Sequence, residues 1–507
     1  MAESTTTTGK RPESSQDTVD IEKQQEKTTE TEKLDSFHND PPVKDSNEID
    51  WDGPDDPANP RNWSTWRKVT TMAIVASISF LTPLASSMFA PGVSSLMSDF
   101  HNTNNELASF VVSAYLLGFA FGPLLIAPMS ELYGRTPVYI ISNIVALGFT
   151  VGCATAPNIG SFIFFRIMAG MGGSAPMSLG GGVIADIFVR EKRGVAMALF
   201  ALGPLLGPVI GPIAGGFLSQ AKGWRWVFWV LTILLGVVAI LLIICLKETY
   251  APVLLERKTK RLIKETGNTS LRPKYSTPGS PKQLFWLAIK RPIKMLIFDP
   301  IILILALYLA IIFGYLYLLF TTFSQVYTTQ YHFSEGTVGL AYIGIGIGCM
   351  VGVIVVGITS DKILVKLTKK HGEARPEFRL PPMIFLSWTL PVGLFWYGWT
   401  ADKGVHWIVP IIGTSFFGIG FFSVMMPVQT YLVDAYQLYA ASALAANTVL
   451  RSLIGAVLPL AGLPMYKSLG IGWGTSLLGF IAMLFLPFPW LFFRYGGQIR
   501  KRFARTY

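Results

Sequence analysis

Twelve apolar stretches, most about twenty residues long, run through the chain, at 69–89, 107–129, 137–156, 160–185, 194–218, 226–246, 298–324, 337–360, 381–400, 406–432, 441–466 and 471–493. A helix needs roughly 20 apolar residues to cross the hydrocarbon core of a bilayer. Runs this long, this frequent and this poor in charge do not suit the core of a soluble protein, where helices keep a polar face. The pattern predicts an all-α membrane protein with 12 transmembrane helices. Composition agrees: hydrophobic residues make up 51% of the 507 and charged residues 14%, against roughly 25% in a soluble domain.

Between the sixth and seventh runs lies a hydrophilic stretch, Lys247 to Ile297, with 12 basic residues and a turn-forming cluster, Ser276-Thr277-Pro278-Gly279-Ser280-Pro281. It divides the chain into a tail (1–67), a six-helix bundle (68–246), a central loop (247–297), a second six-helix bundle (298–493) and a short C-terminal tail (494–507). The first 68 residues hold 16 acidic and 9 basic residues and no apolar run, a composition that predicts disorder. The opening Met1–Thr5 shows no basic region before an apolar core, so no cleaved signal peptide is expected. Cys153, Cys245 and Cys349 all fall in apolar runs, which supports neither a disulfide framework nor a metal site.

The formal net charge of +11 would suggest a nucleic-acid partner in a soluble chain. Here its placement argues for topology. With the tail in the cytoplasm, 27 of the 42 Lys and Arg fall on connections on the tail's side and only 4 on the opposite side. The positive-inside rule then puts both ends in the cytoplasm, with lipid and not nucleic acid as the surrounding partner; the expected location is the plasma membrane, alternatively the vacuolar one.

Two basic residues, Arg166 and Arg451, fall inside spans. A central arginine costs about 2.5–3.5 kcal/mol on insertion scales. Arg451 sits about 15 Å into its helix and Arg166 about 9 Å from the outer end of its own. Each either snorkels to the headgroups or faces the bundle interior, positioning an anion or tuning a carboxylate.

The short loop after the second run reads Met129-Ser130-Glu131-Leu132-Tyr133-Gly134-Arg135-Thr136-Pro137. Gly134 suits a tight turn and places Glu131 and Arg135 at a helix end. The matching loop of the second six begins Gly357-Ile358-Thr359-Ser360-Asp361-Lys362, so acid and base recur. Asp186 and Asp434 end the fourth and tenth runs. An internal repeat of this kind is how secondary transporters are built, and each half is expected to carry one acid cluster that latches the inner side. In the fifth run Gly203, Gly207, Gly211 and Gly215 recur every four residues beside Pro204, Pro208 and Pro212, followed by Gly216. Small residues at that spacing form a stripe on which another helix packs closely.

Together these features resemble the major facilitator superfamily, over about residues 50 to 500. The Met129–Pro137 loop resembles its motif A, with Glu131 for the usual Asp, Ala127 for a Gly and Thr136 for a second base. Arg166-Ile167-Met168-Ala169-Gly170 resembles motif B, whose arginine the family links to proton transfer. Gly207-Pro208-Val209-Ile210-Gly211-Pro212-Ile213-Ala214-Gly215-Gly216 resembles motif C, the antiporter signature of drug:proton exchangers, with Ala198 where an earlier Gly is usual. Lys247-Glu248-Thr249-Tyr250-Ala251-Pro252 resembles the motif closing helix 6. The segment Trp51 to Trp63, and the stretch from Tyr431 through Asp434 to Arg451-Ser452, are similar to fungal multidrug and mycotoxin efflux pumps. The resemblance implies two six-helix bundles around a central cavity, proton exchange and amphipathic substrates.

Substrate sites of such transporters lie near the midplane between the halves. Tyr115, Gln325, Gln429, Asn447 and Arg451 are the candidates, with Asn447 and Arg451 one turn apart on one face. Phe and Tyr of the seventh run offer broad apolar area, and Tyr327 is expected at headgroup level. No carboxylate falls at mid-membrane: Glu131, Asp186, Asp361 and Asp434 lie towards the inner face, Asp99 and Glu106 towards the outer, and Asp434 is the leading proton carrier. No phosphate-binding loop is present, and no His/Asp/Ser constellation suggests an enzyme. The expectation is a monomeric, cofactor-free exporter of small amphipathic toxic compounds, driven by protons. The alternatives are a proton-coupled importer of a vitamin, sugar or polyamine, and a non-transporting membrane sensor.

Overall fold

The computed structural model describes residues 47–189, 193–275, 280–373, 375–436 and 439–503. The tail up to residue 46, Arg190 and Lys192, the turn cluster at 276–279, and residues 504–507 lie outside the described residues. Within them, eleven helical segments are long and apolar enough to cross a membrane. Ten correspond to the first ten apolar runs. The eleventh, Ala440–Arg500, carries the last two end to end, divided by a kink at Gly470, whose φ of 79° leaves the helical region.

The first half comprises α1 (Thr65–Ser87), α2 (Asn105–Tyr133), α3 (Arg135–Ala154), α4 (Ile159–Gly173) continued by α5 (Ala175–Ile187), α6 (Arg193–Lys222) and α7 (Trp224–Cys245). The connection holds α8 (Ala251–Thr266) and α9 (Pro281–Phe298). The second half comprises α10 (Pro300–Tyr331), α11 (Ile343–His371), α12 (Thr389–Asp402), α13 (Ile408–Ala435), α14 (Ala440–Val457), α15 (Gly462–Phe485) and α16 (Pro487–Phe503). Polar caps set several starts: Asn104 accepts from the backbone of Glu106 and Leu107, and Asp299 from Ile301 and Ile302. Inside lipid a helix satisfies its backbone alone, so apolar side chains suffice to hold it there.

The two halves repeat the same pairings. In the first, α1 packs on α6, α2 on α4, α3 on α4 and α3 on α7; in the second, α10 packs on α14, α11 on α13, α12 on α13 and α12 on α15. The halves meet where α2 lies against α14 and α6 against α11. Below, the end of the spans holding Arg135 is the Arg135 end, and the opposite one is the Gln325 end.

The chain divides into two units, residues up to Asp50 with Lys258–Lys274, and Trp51–Arg257 with Tyr275–Tyr507. In the small unit β1 (Glu48–Ile49) pairs in parallel with β2 (Arg272–Pro273), Glu48 opposite Arg272. Lys274 Nζ lies 2.5 Å from Asp50 Oδ2, and Lys258 Nζ donates to the Asp50 carbonyl at 2.9 Å. The expectation of disorder through residue 67 is therefore corrected for residues 47–67. After Asp50 the Asp56 carboxylate accepts from the backbone of Asp52 and Ala58, and Asn62 donates to the carbonyls of Pro54 and Asp56. These local Asx bonds order a segment whose apolar content is low. α8 and α9 are a second addition to the sequence reading: both carry charge, so no apolar run marks them.

Candidate functional site

α6 positions the two halves. A Cβ at Gly203 would meet the Phe80 nitrogen at 2.9 Å, one at Gly207 the Leu84 nitrogen and Phe80 oxygen at 2.9 Å, and one at Gly211 the Ser87 Oγ at 2.6 Å. One at Gly215 would collide with the Met88 carbonyl. The four glycines thus form a groove in which α1 lies backbone to backbone. The neighbouring face of α6 meets the other half. Val209 abuts Gly346, the backbone of Pro212 and Ile213 abuts Gly339, and Gly216 faces the carbonyls of Glu335 and Gly336. Pro208 sits half-buried between these faces.

The Gln325 end is bonded across the halves. Glu335, in the first turn of a short helix (Glu335–Val338), accepts from Ser95 and from Ser219, the latter at 3.0 Å. The Gln220 side chain accepts from the Gly336 nitrogen at 2.9 Å and from Ser334 at 3.2 Å. Beside this contact lies a cavity of about 270 Å³ lined by Asn102, Asn104, Thr321, Ser324, Gln325 and Thr328, among others. Gln325 is an exposed wall of that cavity and is remote from Asn447 in sequence and bonding. Nothing in residue order signals Glu335, because its two serine partners lie 240 and 116 positions away. Asp99 pairs with Arg225 at 2.7 Å, and Glu106 stands in the first turn of α2.

Arg166 is 1% exposed and does not snorkel. It donates to the carbonyls of Ala85 (2.8 Å), Ser86 (3.0 Å), Val112 (3.1 Å) and Val111 (3.3 Å). Ala85 and Ser86 belong to the last turn of α1, whose carbonyls have no intrahelical partner. The guanidinium also lies 4.7 Å from the Tyr115 ring. Gly170 lets the Tyr115 backbone approach α4, since a Cβ there would collide with its carbonyl. Tyr115 is thus a packing partner of Arg166 inside the first half, with Thr82, Asn143 and Gly173 around it.

Arg451 is 8% exposed and lies in the second half, with its guanidinium 4.9 Å from the Phe313 ring. Its Nε and Nη1 have no partner, and both amide atoms of buried Asn447 are likewise unpartnered. The group sits at the seam: Gly455, one turn further along α14, abuts Phe313 and Leu116 of α2, and Ser113 donates to the Ala456 carbonyl at 2.8 Å. Phe313 packs on Tyr317, whose hydroxyl is 2.6 Å from Ser86 Oγ of α1. Gln429 is half-buried late in α13 and belongs to neither arginine. Tyr327 is fully buried against Phe323, Tyr331 and Phe333, so it packs within its own half. α10 continues to Tyr331, beyond the expected end at 324, and carries that ring under its neighbours.

At the Arg135 end each half has one arginine bound by carboxylates. Arg135 Nε lies 3.6 Å from Asp186 Oδ2, and Nη1 donates to Ser130 Oγ at 2.6 Å. Glu248, 8% exposed, accepts from the backbone nitrogens of Arg135 (2.9 Å), Thr136 (3.2 Å), Thr249 (3.0 Å) and Tyr250 (3.0 Å). It fills the space a side chain at Gly134 would need, and Gly134 adopts a φ of 103°. Burial pushes the Tyr250 hydroxyl pKa up, Glu131 adds to the rise and Arg135 opposes it. Glu131 itself is exposed and stands outside these bonds. In the second half Arg379 bridges Asp361 (2.6 Å) and Asp434 (2.9 Å), while Lys362 is exposed. The bases that do the pairing are thus Arg135 and Arg379, and the base adjacent to Asp361 in sequence plays no part.

The Major Facilitator Superfamily profile matches residues 75–459, and the chain belongs to that superfamily of membrane transporters. It is 57% identical to the MFS-type transporter penM of Penicillium rubens over 90% of both chains. It is 53% identical to the MFS transporter cpaT of Aspergillus oryzae (89% of this chain, 92% of the relative) and 49% to the efflux pump radE of Floropilus chiversii (90% and 86%). Among solved structures, the fold is similar to a partially occluded inward-open xylose transporter XylE from E. coli, with a TM-score of 0.62 at 19% identity, over 83% of this chain and 97% of that one.

Proposed function

We propose that this multi-pass transporter is a proton-coupled antiporter that exports small amphipathic compounds, either drugs or a secondary metabolite of a fungal cell. The observation that carries the reading is α6. The helix that resembles the antiporter signature is also the helix that joins the halves at the Gln325 end. An exchanger must never open a continuous aqueous path, because protons would leak down it. Glycine packed on backbone, on two faces of one helix, leaves no room for a file of water. The relative named an efflux pump supports the direction of transport.

On this reading the arginine–carboxylate corners at the Arg135 end are latches of the inner side, which break as that side opens. Both chain ends face the cytoplasm of a plasma-membrane monomer that needs no cofactor; the charge asymmetry of the connections supports the orientation. In inside-out vesicles carrying the full chain, an imposed proton gradient drives uptake of an amphipathic dye, offered as a cation (rhodamine 6G) and as an anion (fluorescein), and a protonophore abolishes it. Uptake indifferent to the protonophore overturns the antiport mechanism.

A further inference from the structure

Two arginines are buried in the spans, and one explains the other by contrast. Arg166 spends its donors on four carbonyls of its own half, as a structural arginine should. Arg451 makes no hydrogen bond or ion pair among the described residues. Phe313 covers one side of its guanidinium plane, and Nε and Nη1 are left without an acceptor. One turn before it, Asn447 leaves a donor and an acceptor unpaired at 1% exposure. Desolvated polar groups carry a penalty of about 1–3 kcal/mol each, more for a charge, unless a partner arrives. Two such groups on one face of one helix, at the seam between the halves, leave two unmet polar demands where a ligand's polar head could meet both.

We infer that Arg451 and Asn447 form the subsite for an acidic group (carboxylate, enolate or phenolate) of the transported compound, and that the substrate class is amphipathic organic acids. This rests on the exporter reading above. The guanidinium matches an oxyanion in charge and in planar geometry. Asn447 adds a donor and an acceptor for an adjacent carbonyl or hydroxyl. Phe313, Tyr317 and Phe421 supply apolar area for the rest of the molecule. Lipid phosphates are poor competitors at this depth, because headgroups sit at the bilayer surface.

The test uses two near-isosteric probes, 1-naphthaleneacetate and its neutral amide, 1-naphthaleneacetamide, and the full chain in lipid nanodiscs. Binding is read by ligand-induced thermal shift and by equilibrium titration. The acid binds at least tenfold more tightly than the amide. Arg451→Gln weakens the acid at least tenfold and the amide less than twofold. Arg451→Lys, which keeps the charge and loses the planar fork, falls between. Asn447→Ala, a milder change, also weakens the acid and serves if Arg451→Gln fails to fold. Equal affinity for both probes, no measurable binding of the acid, or equal losses for both probes in the variants overturns the subsite. Proton-driven uptake of radiolabelled 1-naphthaleneacetate into inside-out vesicles is measured separately on the same chain. Its absence with acid binding intact strikes the exporter reading and leaves the subsite standing.

Discussion

Arg166 and Arg451 are both buried in spans, and only their acceptors differ. Arg166 satisfies two carbonyls in the last turn of α1 that the helix itself cannot pair. Removing it strands them, and charge-assisted bonds of this kind are worth about 1.5–3 kcal/mol each. Arg166→Met is therefore expected to cost at least about 3 kcal/mol of stability. Thermal denaturation of the solubilised chain, followed by tryptophan fluorescence, checks this, and an unchanged midpoint refutes the stitching role. Both arginines were legible in the sequence as charges where charge is costly. Which one is satisfied was not, because the acceptors of Arg166 are backbone atoms 54 to 81 residues away and carry no side-chain signature.

Among the elements, α6 shows what spacing alone conveys. A glycine every four residues already predicts a close-packed stripe. The sequence does not say that α1 fills it, or that the adjacent face meets α11 and the short helix at Glu335. A branched side chain at Gly207 must displace the Leu84 and Phe80 backbone, which no rotamer relieves. Gly207→Val is expected to cost about 1–3 kcal/mol and to abolish transport. Gly236 of α7 has nothing within 4 Å of its would-be Cβ, so Gly236→Val serves as the control and leaves both stability and efflux near wild type. Comparable losses in the two variants would show that α6 glycines are ordinary. The helices of the connection escaped the hydropathy reading for a related reason. α8 carries its apolar residues on one face only, and a run-length criterion does not register an amphipathic helix.

For the whole molecule, the deciding question is what holds one end shut while the other opens. At the Gln325 end the answer includes Glu335, which receives hydroxyl donors from two helices of the opposite half. Glu335→Gln weakens those bonds by about 1 kcal/mol or more, a several-fold shift toward opening. The check is the labelling rate of a Thr328→Cys variant, inside the adjacent cavity, by a membrane-impermeant maleimide. The rate rises several-fold in the Glu335→Gln background, and an unaltered rate removes Glu335 from the gate. At the other end the ion pairs described above lie within a half, Arg135 with Asp186 and Arg379 with Asp361 and Asp434.

Chain order alone determined that this protein lives in a membrane, that it crosses it many times, and that it does so as two repeats. The first two follow from the transfer energy of apolar runs, which depends on local composition and little else, and the repeat from acid and base recurring at matching loops. The tertiary structure decided which polar groups are paired. Glu248 takes over the turn beside Gly134 while Glu131 faces out, Arg379 and not Lys362 binds Asp361, and Arg166 is saturated where Arg451 is not. Hydrogen bonding and ion pairing act over about 3 Å, and only folding brings residues a hundred positions apart within that range.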